Sequence, residues 1–425
     1  MTEAINGSLK KLIQQHWAQQ NGSPFVPGQT RIPLSVPTFG WEEVWEALES
    51  LLSTQVTMGK KVQRFESMFA EYVGVKHAVM VNSGSSANLL ALSVLTSPLL
   101  AGHLQPGDEV ITPAVTWATA VFPIANVGLV PVLVDVDLDT FDLIPEEVEK
   151  AITPRTRAIL LVHLMGNPCD MDRIMSIARR HNLLVIEDAC EAHGAEYHGR
   201  KVGSFGDFAT FSFFFSHHIA TIEGGMLLTN NDEYAELARA LRVFGWSRDL
   251  KAKDVIAQQH PEVDPRFLFV STGYNFRPME IQGAFGIHQI GKLERYVEVR
   301  RENARYWSRE LGALPHLRVY QEAEGTRHAW FGYPIMVLPD APFRREELVA
   351  HLEAKGVETR PIMAGNMDEQ PAMRLFPYRK VGDLPNARLV HRNAFLFGNH
   401  HGIGSEQRKA IVSYVREFVQ ERAGA

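Results

Sequence analysis

Several short stretches of the chain carry residue types suited to chemistry. Asn82-Ser83-Gly84-Ser85-Ser86-Ala87-Asn88 follows an apolar run, His77–Val81, and precedes an apolar helical pattern. Small residues at a strand-to-helix turn leave backbone N–H groups open, and a helix N-terminus favours an anion, so Gly84, Ser85 and Ser86 read as a phosphate cup. The same residues also make an ordinary helix cap. Ile186-Glu187-Asp188-Ala189-Cys190-Glu191-Ala192-His193-Gly194 ends a second apolar run. A carboxylate such as Asp188 at the C-terminal end of a parallel strand lies where α/β folds place ligands, although Asp also caps helices. Trp117, just after Thr112-Pro113-Ala114-Val115-Thr116, offers a flat ring for stacking or simply for packing. Asn275, in Gly273-Tyr274-Asn275-Phe276-Arg277-Pro278-Met279-Glu280, can donate its amide to a phosphate oxygen or sit in a helix-entry turn. His217 and His218 stand in Ser212-Phe213-Phe214-Phe215-Ser216-His217-His218-Ile219-Ala220-Thr221-Ile222-Glu223-Gly224-Gly225. In an extended segment the two rings point to opposite sides, so one faces a ligand. An isolated His in a Phe-rich strand is more often a packed core residue. A metal site is not indicated: no His-Glu-x-x-His pattern occurs, and His400–His401 is equally uninformative.

The elements that must position these residues alternate. Helical patterns cover Trp41–Leu52, Lys61–Val73, Ala87–Leu95 and Asp170–His181, and strand patterns cover His77–Val81, Glu109–Thr112, Val130–Asp135, Ala158–His163 and Leu183–Glu187. The strands are continuous Val/Ile/Leu runs, as expected when helices cover both faces of a parallel sheet. The alternation predicts an α/β architecture with a mostly parallel, doubly wound sheet. Residues 1–35 read as a helix, Ser8–Gln20, and an arm punctuated by Asn21-Gly22-Ser23-Pro24 and Pro27-Gly28. Residues 36–300 form the expected large domain, from which a long amphipathic segment, Ile281–Leu311, leads into a smaller α+β domain over 301–425. That smaller domain has a strand at Tyr333–Val337 and helices at Arg345–Lys355 and Ser405–Gln420.

Composition narrows the classes. The 425 residues are 45% hydrophobic and 22% charged, which is ordinary for a globular protein able to bury a large core. A net charge of −6 without a basic run argues against nucleic acid as the main partner. No apolar run approaches the roughly 18 residues of a membrane span, and the opening MTEAINGSLKKLIQQHW lacks a secretory hydrophobic region, so a cytoplasmic protein is expected. Cys169 and Cys190 are expected to be reduced, and two thiols cannot hold an iron–sulfur cluster that needs four.

These pieces, in this order from about residue 33 to residue 402, resemble the DegT-like sugar aminotransferases of the fold-type I, pyridoxal-phosphate (PLP) class. The stretch Ser212–Gly225 is similar to the segment that carries the cofactor lysine in that family, and His217 stands at the lysine position, with His218 outside it. Glu223-Gly224-Gly225 follows at the family spacing, and Asp188 precedes His217 by 29 residues, also close to it. An imidazole moves protons but cannot form the stable Schiff base that a lysine amine forms with PLP. One branch, the PLP-dependent 3-dehydratases of nucleotide-linked 4-keto-6-deoxy sugars, also has a His-His pair there. That branch has sequences similar to Trp330-Phe331-Gly332-Tyr333-Pro334, Ala364-Gly365-Asn366 and Gly398-Asn399-His400.

The resemblance implies PLP, converted by glutamate to pyridoxamine phosphate, both bound without a covalent link. It implies His217 as the base, Gly84, Ser85, Ser86, Ser212 and Asn275 around the phosphate, Asp188 at the pyridine nitrogen and Trp117 on the ring. Asn275 would reach across the interface of a homodimer with shared sites. Glu191 stands where the aminotransferases have Gln beside the phenolic oxygen, and an acid there must be protonated or solvated to tolerate a phenolate. His328, Arg360 and Asn366 are the candidates for the sugar side. The expected outcome is a 3-deoxy-4-keto sugar and ammonia. The alternatives are a keto-sugar aminotransferase and a catalytically idle binding protein of the same fold.

Overall fold

The short apolar runs form an eight-stranded sheet in the computed structural model, which describes residues 2–19 and 24–423. The turn expected at residues 21–23 lies outside the described residues. The strands lie in the order 77–81, 225–229, 208–212, 184–188, 156–162, 109–113, 130–134 and 379–380. Residues 225–229 run antiparallel to both neighbours, and the other pairings are parallel. Successive side chains enter different cores: Ala158 and Leu160 pack on one face of the sheet, Ile159 and Leu161 on the other. This is why the strands read as unbroken apolar runs, and each fully buried Leu or Ile contributes about 1.5–3 kcal/mol.

A second, antiparallel sheet joins residues 317–319, 332–337, 394–398 and 359–361. The strand at 379–380 leaves this C-terminal part and pairs with residues 130–134 at the edge of the large sheet. The helix Leu293–Leu311 runs through residue 300, and packs through Trp307 and Leu311 into a core shared with Tyr333 and Phe397.

Two elements differ from their sequence-based bounds for identifiable reasons. The helix expected at Ala87–Leu95 begins at Gly84, because the Ser83 hydroxyl accepts the Ser86 N–H and caps it three residues earlier. The segment Ile281–Leu311 is two helices, Glu280–Gln289 and Leu293–Leu311, joined by a tight turn at Ile290–Lys292. Gly291 lies in that turn and is a poor helix former. The amphipathic period continues across the break, which hid it. The N-terminal helix spans Thr2–Gln19. Among the described residues, no helix is long and apolar enough to cross a membrane.

Candidate active site

The C-terminal ends of the parallel strands converge on one cavity of about 560 Å³. Its walls include Ser83, Gly84 and Ser85 after the strand His77–Val81, Trp117 after Glu109–Pro113, Asp188 and Glu191 at the end of Leu184–Asp188, and Ser212 at the end of Phe208–Ser212. This is the place where open α/β sheets bind ligands. Gly84 packs so closely that an added Cβ would lie 2.5 Å from the Ser212 Cβ and 3.0 Å from the Cys190 sulfur. The first-turn N–H groups of Gly84 and Ser85 have no acceptor within their helix and lie at the cavity wall. The helix cap is present, with Ser83 serving the Ser86 N–H, and the two preceding amides remain open at the cavity wall.

Adjacent carboxylates in one strand take opposite tasks. Glu187 points away from the cavity and accepts N–H groups from Gly203, Phe205 and Gly206, each at 2.7 Å. Asp188 points into it, held by the Asn88 amide at 2.7 Å and by the Cys190 N–H at 3.1 Å. Asn88 is itself fixed by the Thr210 hydroxyl at 2.7 Å. Asn88 was not singled out in the sequence, yet it lies one helical turn after Gly84, a spacing that puts it on the same face.

His217 and His218 do not form part of a strand. The strand ends at Ser212, and the chain bends so that the Phe213 N–H donates to the Gly224 carbonyl and the His217 N–H to the Phe214 carbonyl. The rule of opposite sides therefore does not apply: both rings lie against Phe331, with centroids 5.2 and 6.2 Å away, and both against His193, at 5.7 and 5.4 Å. Only His217 reaches the cavity wall; the His218 Nε2–H donates to the Ala329 carbonyl at 2.8 Å. The His217 Nδ1 has no hydrogen-bond partner. Burial, and then the charge of Arg300, push the His217 imidazole down to about 3, so it is neutral at physiological pH.

Glu191 accepts the Met165 N–H at 2.7 Å, and Met165 in turn accepts the Phe331 N–H at 2.8 Å. Met165 adopts a left-handed backbone, φ 58°, which aims its N–H at the carboxyl. The next residue, Gly166, approaches the Glu191 carbonyl and the Trp330 nitrogen so closely that an added Cβ would lie 2.9 Å from each. Burial first, and the nearby Asp188 charge, raise the Glu191 carboxyl to about 8. At neutral pH Glu191 is thus an O–H donor rather than an anion.

The remaining candidates separate. Trp117, 56% exposed, and Arg360 lie on the cavity wall, and Arg360 is held by Glu358 at 2.8 Å. Ser86 turns its hydroxyl to Ser83 and does not line the cavity. His328 is buried under the wall, stacked on Trp330 at 3.9 Å with its Nδ1 accepting the Trp330 N–H. Asn366 is also buried and caps a turn by accepting the Asp368 N–H, in a segment whose neighbours Ala364 and Met367 donate to the Thr116 and Ala114 carbonyls. Asn275 is exposed, accepts from Arg277 at 2.9 Å and is not part of its own chain's cavity. Phe331, Phe214 and Met363 complete the wall without having been assigned a role from sequence, and no lysine lines it. Among the described residues, no cluster of His, Cys, Asp or Glu is arranged to hold a metal.

Strand order, cavity position and the residues at its wall define a fold-type I aminotransferase architecture. A model of the DegT/DnrJ/EryC1/StrS aminotransferase family matches residues 38–416, and the chain belongs to that family. It is 38% identical over 389 residues to the GDP-4-keto-6-deoxy-D-mannose 3-dehydratase of Yersinia pseudotuberculosis, covering 91% of this chain and 98% of the relative. Over 420 residues it is 37% identical to the dTDP-4-dehydro-2,6-dideoxy-D-glucose 3-dehydratase of Saccharopolyspora spinosa, covering 96% and 90%. A crystal structure of GDP-4-keto-6-deoxymannose-3-dehydratase with a trapped PLP-glutamate geminal diamine superposes with a TM-score of 0.84 at 37% identity, covering 91% of this chain and 99% of that one.

The raised Glu191 carboxyl has a measurable consequence. A carboxyl that titrates at about 8 when folded and at 4.5 in the reference state binds its proton more tightly in the native protein. Its contribution to stability is fully present below pH 4.5 and is lost as pH rises to about 8. Urea unfolding of wild type and Glu191→Gln across that window is expected to show the variant gaining on wild type as pH rises. A constant difference between the two would contradict the assignment.

Proposed function

We propose that this chain is a PLP-dependent 3-dehydratase of a nucleotide-linked 4-keto-6-deoxyhexose, with glutamate as the amino donor. The observation that carries the reading is an imidazole, His217, at the wall of a cavity that no lysine lines, in a family whose similar members include 3-dehydratases. The cavity fits PLP: open amides at Gly84 and Ser85 and the Ser212 hydroxyl suit a phosphate, the fixed Asp188 carboxylate suits a protonated pyridine nitrogen, and Trp117 suits a flat ring. Bound PLP, in the amine form that glutamate generates, supplies an amine for the sugar ketone and a ring that accepts electrons.

The protein residues then divide the work. Glu191, neutral near pH 7, offers an O–H to a ring oxygen without placing a second anion beside it. Phe331, Phe214 and Met363 keep water from the reacting carbons. His217 takes a proton at its imidazole and, because burial makes its cation a strong acid, returns that proton to the departing C3 hydroxyl, which leaves as water. Atoms balance when the oxygen lost at C3 is matched by oxidation of glutamate to 2-oxoglutarate with release of ammonia. An ordinary lysine amine, with a pKa of about 10.4, would retain the proton and deliver it to carbon, which is the transamination outcome.

The test is incubation with PLP, glutamate and, separately, a GDP-linked and a dTDP-linked 4-keto-6-deoxyhexose. Mass spectrometry is expected to show a 3-deoxy sugar matched by ammonia. His217→Asn is expected to lower the rate by at least about 100-fold, and His217→Lys to lose dehydration. A stable amino sugar without free ammonia would replace this reading by an aminotransferase.

We further propose a cytoplasmic homodimer with shared sites. The free thiols of Cys169 and Cys190 suit a reducing compartment. Asn275 is exposed and does not line its own cavity, and the carbonyl of its neighbour Tyr274 accepts the N–H of exposed Phe244. Co-expression of His217→Asn with Asn275→Ala is the test: a mixed dimer with shared sites regains one intact site, and activity rises above either parent. No recovery, or a monomer on sizing, would contradict it.

A further inference from the structure

Behind the cavity wall lies a buried cation without a counter-ion. Arg300 projects inward from the helix Leu293–Leu311 and is 2% exposed. Its Nη1 donates to the carbonyl oxygens of Trp330 at 3.2 Å and Phe331 at 2.8 Å, and to that of Asn399. Asn399 answers from its Nδ2 to the Arg300 carbonyl at 3.0 Å. Among the described residues no carboxylate pairs with the guanidinium, and its Nε has no partner at all. A desolvated charge of this kind is costly, and a clamp on three carbonyls would not in itself require the absence of a carboxylate. Burial lowers the guanidinium to about 9, so it remains charged at neutral pH.

Five imidazoles surround this charge. His193, His217, His218, His400 and His401 are all held below the ordinary histidine range, by burial first and by Arg300 as a further cause in each. The carbonyl that accepts most directly from Arg300 on the cavity side belongs to Phe331, whose ring lies 5.2 Å from that of His217. One side chain thus fixes the partner of His217 and sets the field around it.

We propose that Arg300 is a positioning residue for His217, pinning Phe331 against the imidazole and keeping a fixed positive charge behind the histidine cluster. The proposal rests on the reading of His217 as the base. The groups facing His217 are His193, His218 and Arg300 from within, and Asp188, Glu191, Glu223 and Arg360 along the cavity wall. Of these, Arg300 is the charge that opposes protonation from the buried side. It weakens the hold of the imidazole on a proton, so that a proton taken there is passed on rather than stored.

The test reads His217 directly. Cofactor-free protein with 15N-labelled histidine is titrated by NMR, which measures the coupling whether or not the enzyme turns over any sugar. Arg300→Gln deletes the charge while keeping an N–H donor for the carbonyls, and Arg300→Lys keeps the charge. The Gln variant is expected to raise the His217 midpoint by about one pH unit, a roughly tenfold gain in proton affinity, and the Lys variant is expected to leave it low. A folded Gln variant that shares the wild-type midpoint would overturn the proposal and leave the dehydratase reading untouched. Should neither variant fold, nuclear Overhauser contacts in the wild type decide it: Arg300 guanidinium protons beside the Phe331 backbone and the Phe331 ring beside His217 would support the pinning, and their absence would overturn it.

Discussion

The chemistry we propose for the cavity depends on a desolvated, neutral imidazole at its wall, where no lysine stands. Burial drives the His217 ring down to about 3, and no carboxylate touches it to oppose that shift. In the proposed mechanism such an imidazole is unprotonated at neutral pH and a weak base, and its conjugate acid gives its proton up readily. The same burial acts on Glu191 with the opposite sign, raising its carboxyl to about 8. In the proposed mechanism one low-dielectric wall therefore supplies a neutral base and a neutral acid together.

That wall exists because several chain segments are tied to it by backbone groups rather than by side-chain pairs. Glu191 holds the Met165 N–H, Met165 holds the Phe331 N–H, and Phe331 leans on His217. The left-handed turn at Met165 and the close approach at Gly166 are what let the large sheet meet the segment before the strand Gly332–Val337. On the other side, Asp188 is oriented by Asn88, which rides on the helix whose first turn carries the open amides. The open amides and the carboxylate are thus fixed relative to one another by a single helix.

Much of this was legible in the sequence because it depends on local pattern. Continuous apolar runs gave the parallel strands within a residue or two, and small residues after His77–Val81 gave the turn that carries Gly84 and Ser85. What stayed hidden depends on distant contacts. Nothing local distinguishes Arg300 from its neighbour Arg301, which pairs with Glu322 near the surface, because burial is decided by the fold. His328 and Asn366 lie in segments next to the cavity, but their side chains serve the backbone beneath it, which spacing cannot reveal. The histidine pair misled for a different reason: alternation holds only along a strand, and the strand ends five residues before His217.

In the proposed mechanism this protein runs PLP chemistry with an imidazole in place of a covalent anchor. The most direct measurement is the mass of the protein and its peptides after incubation with PLP and borohydride reduction. The PLP absorbance is expected to shift on binding, while reduction leaves no pyridoxyl group on any peptide of the cavity wall. A stoichiometric pyridoxyl adduct on a single lysine, lost when His217-containing sites are blocked by substrate, would contradict it.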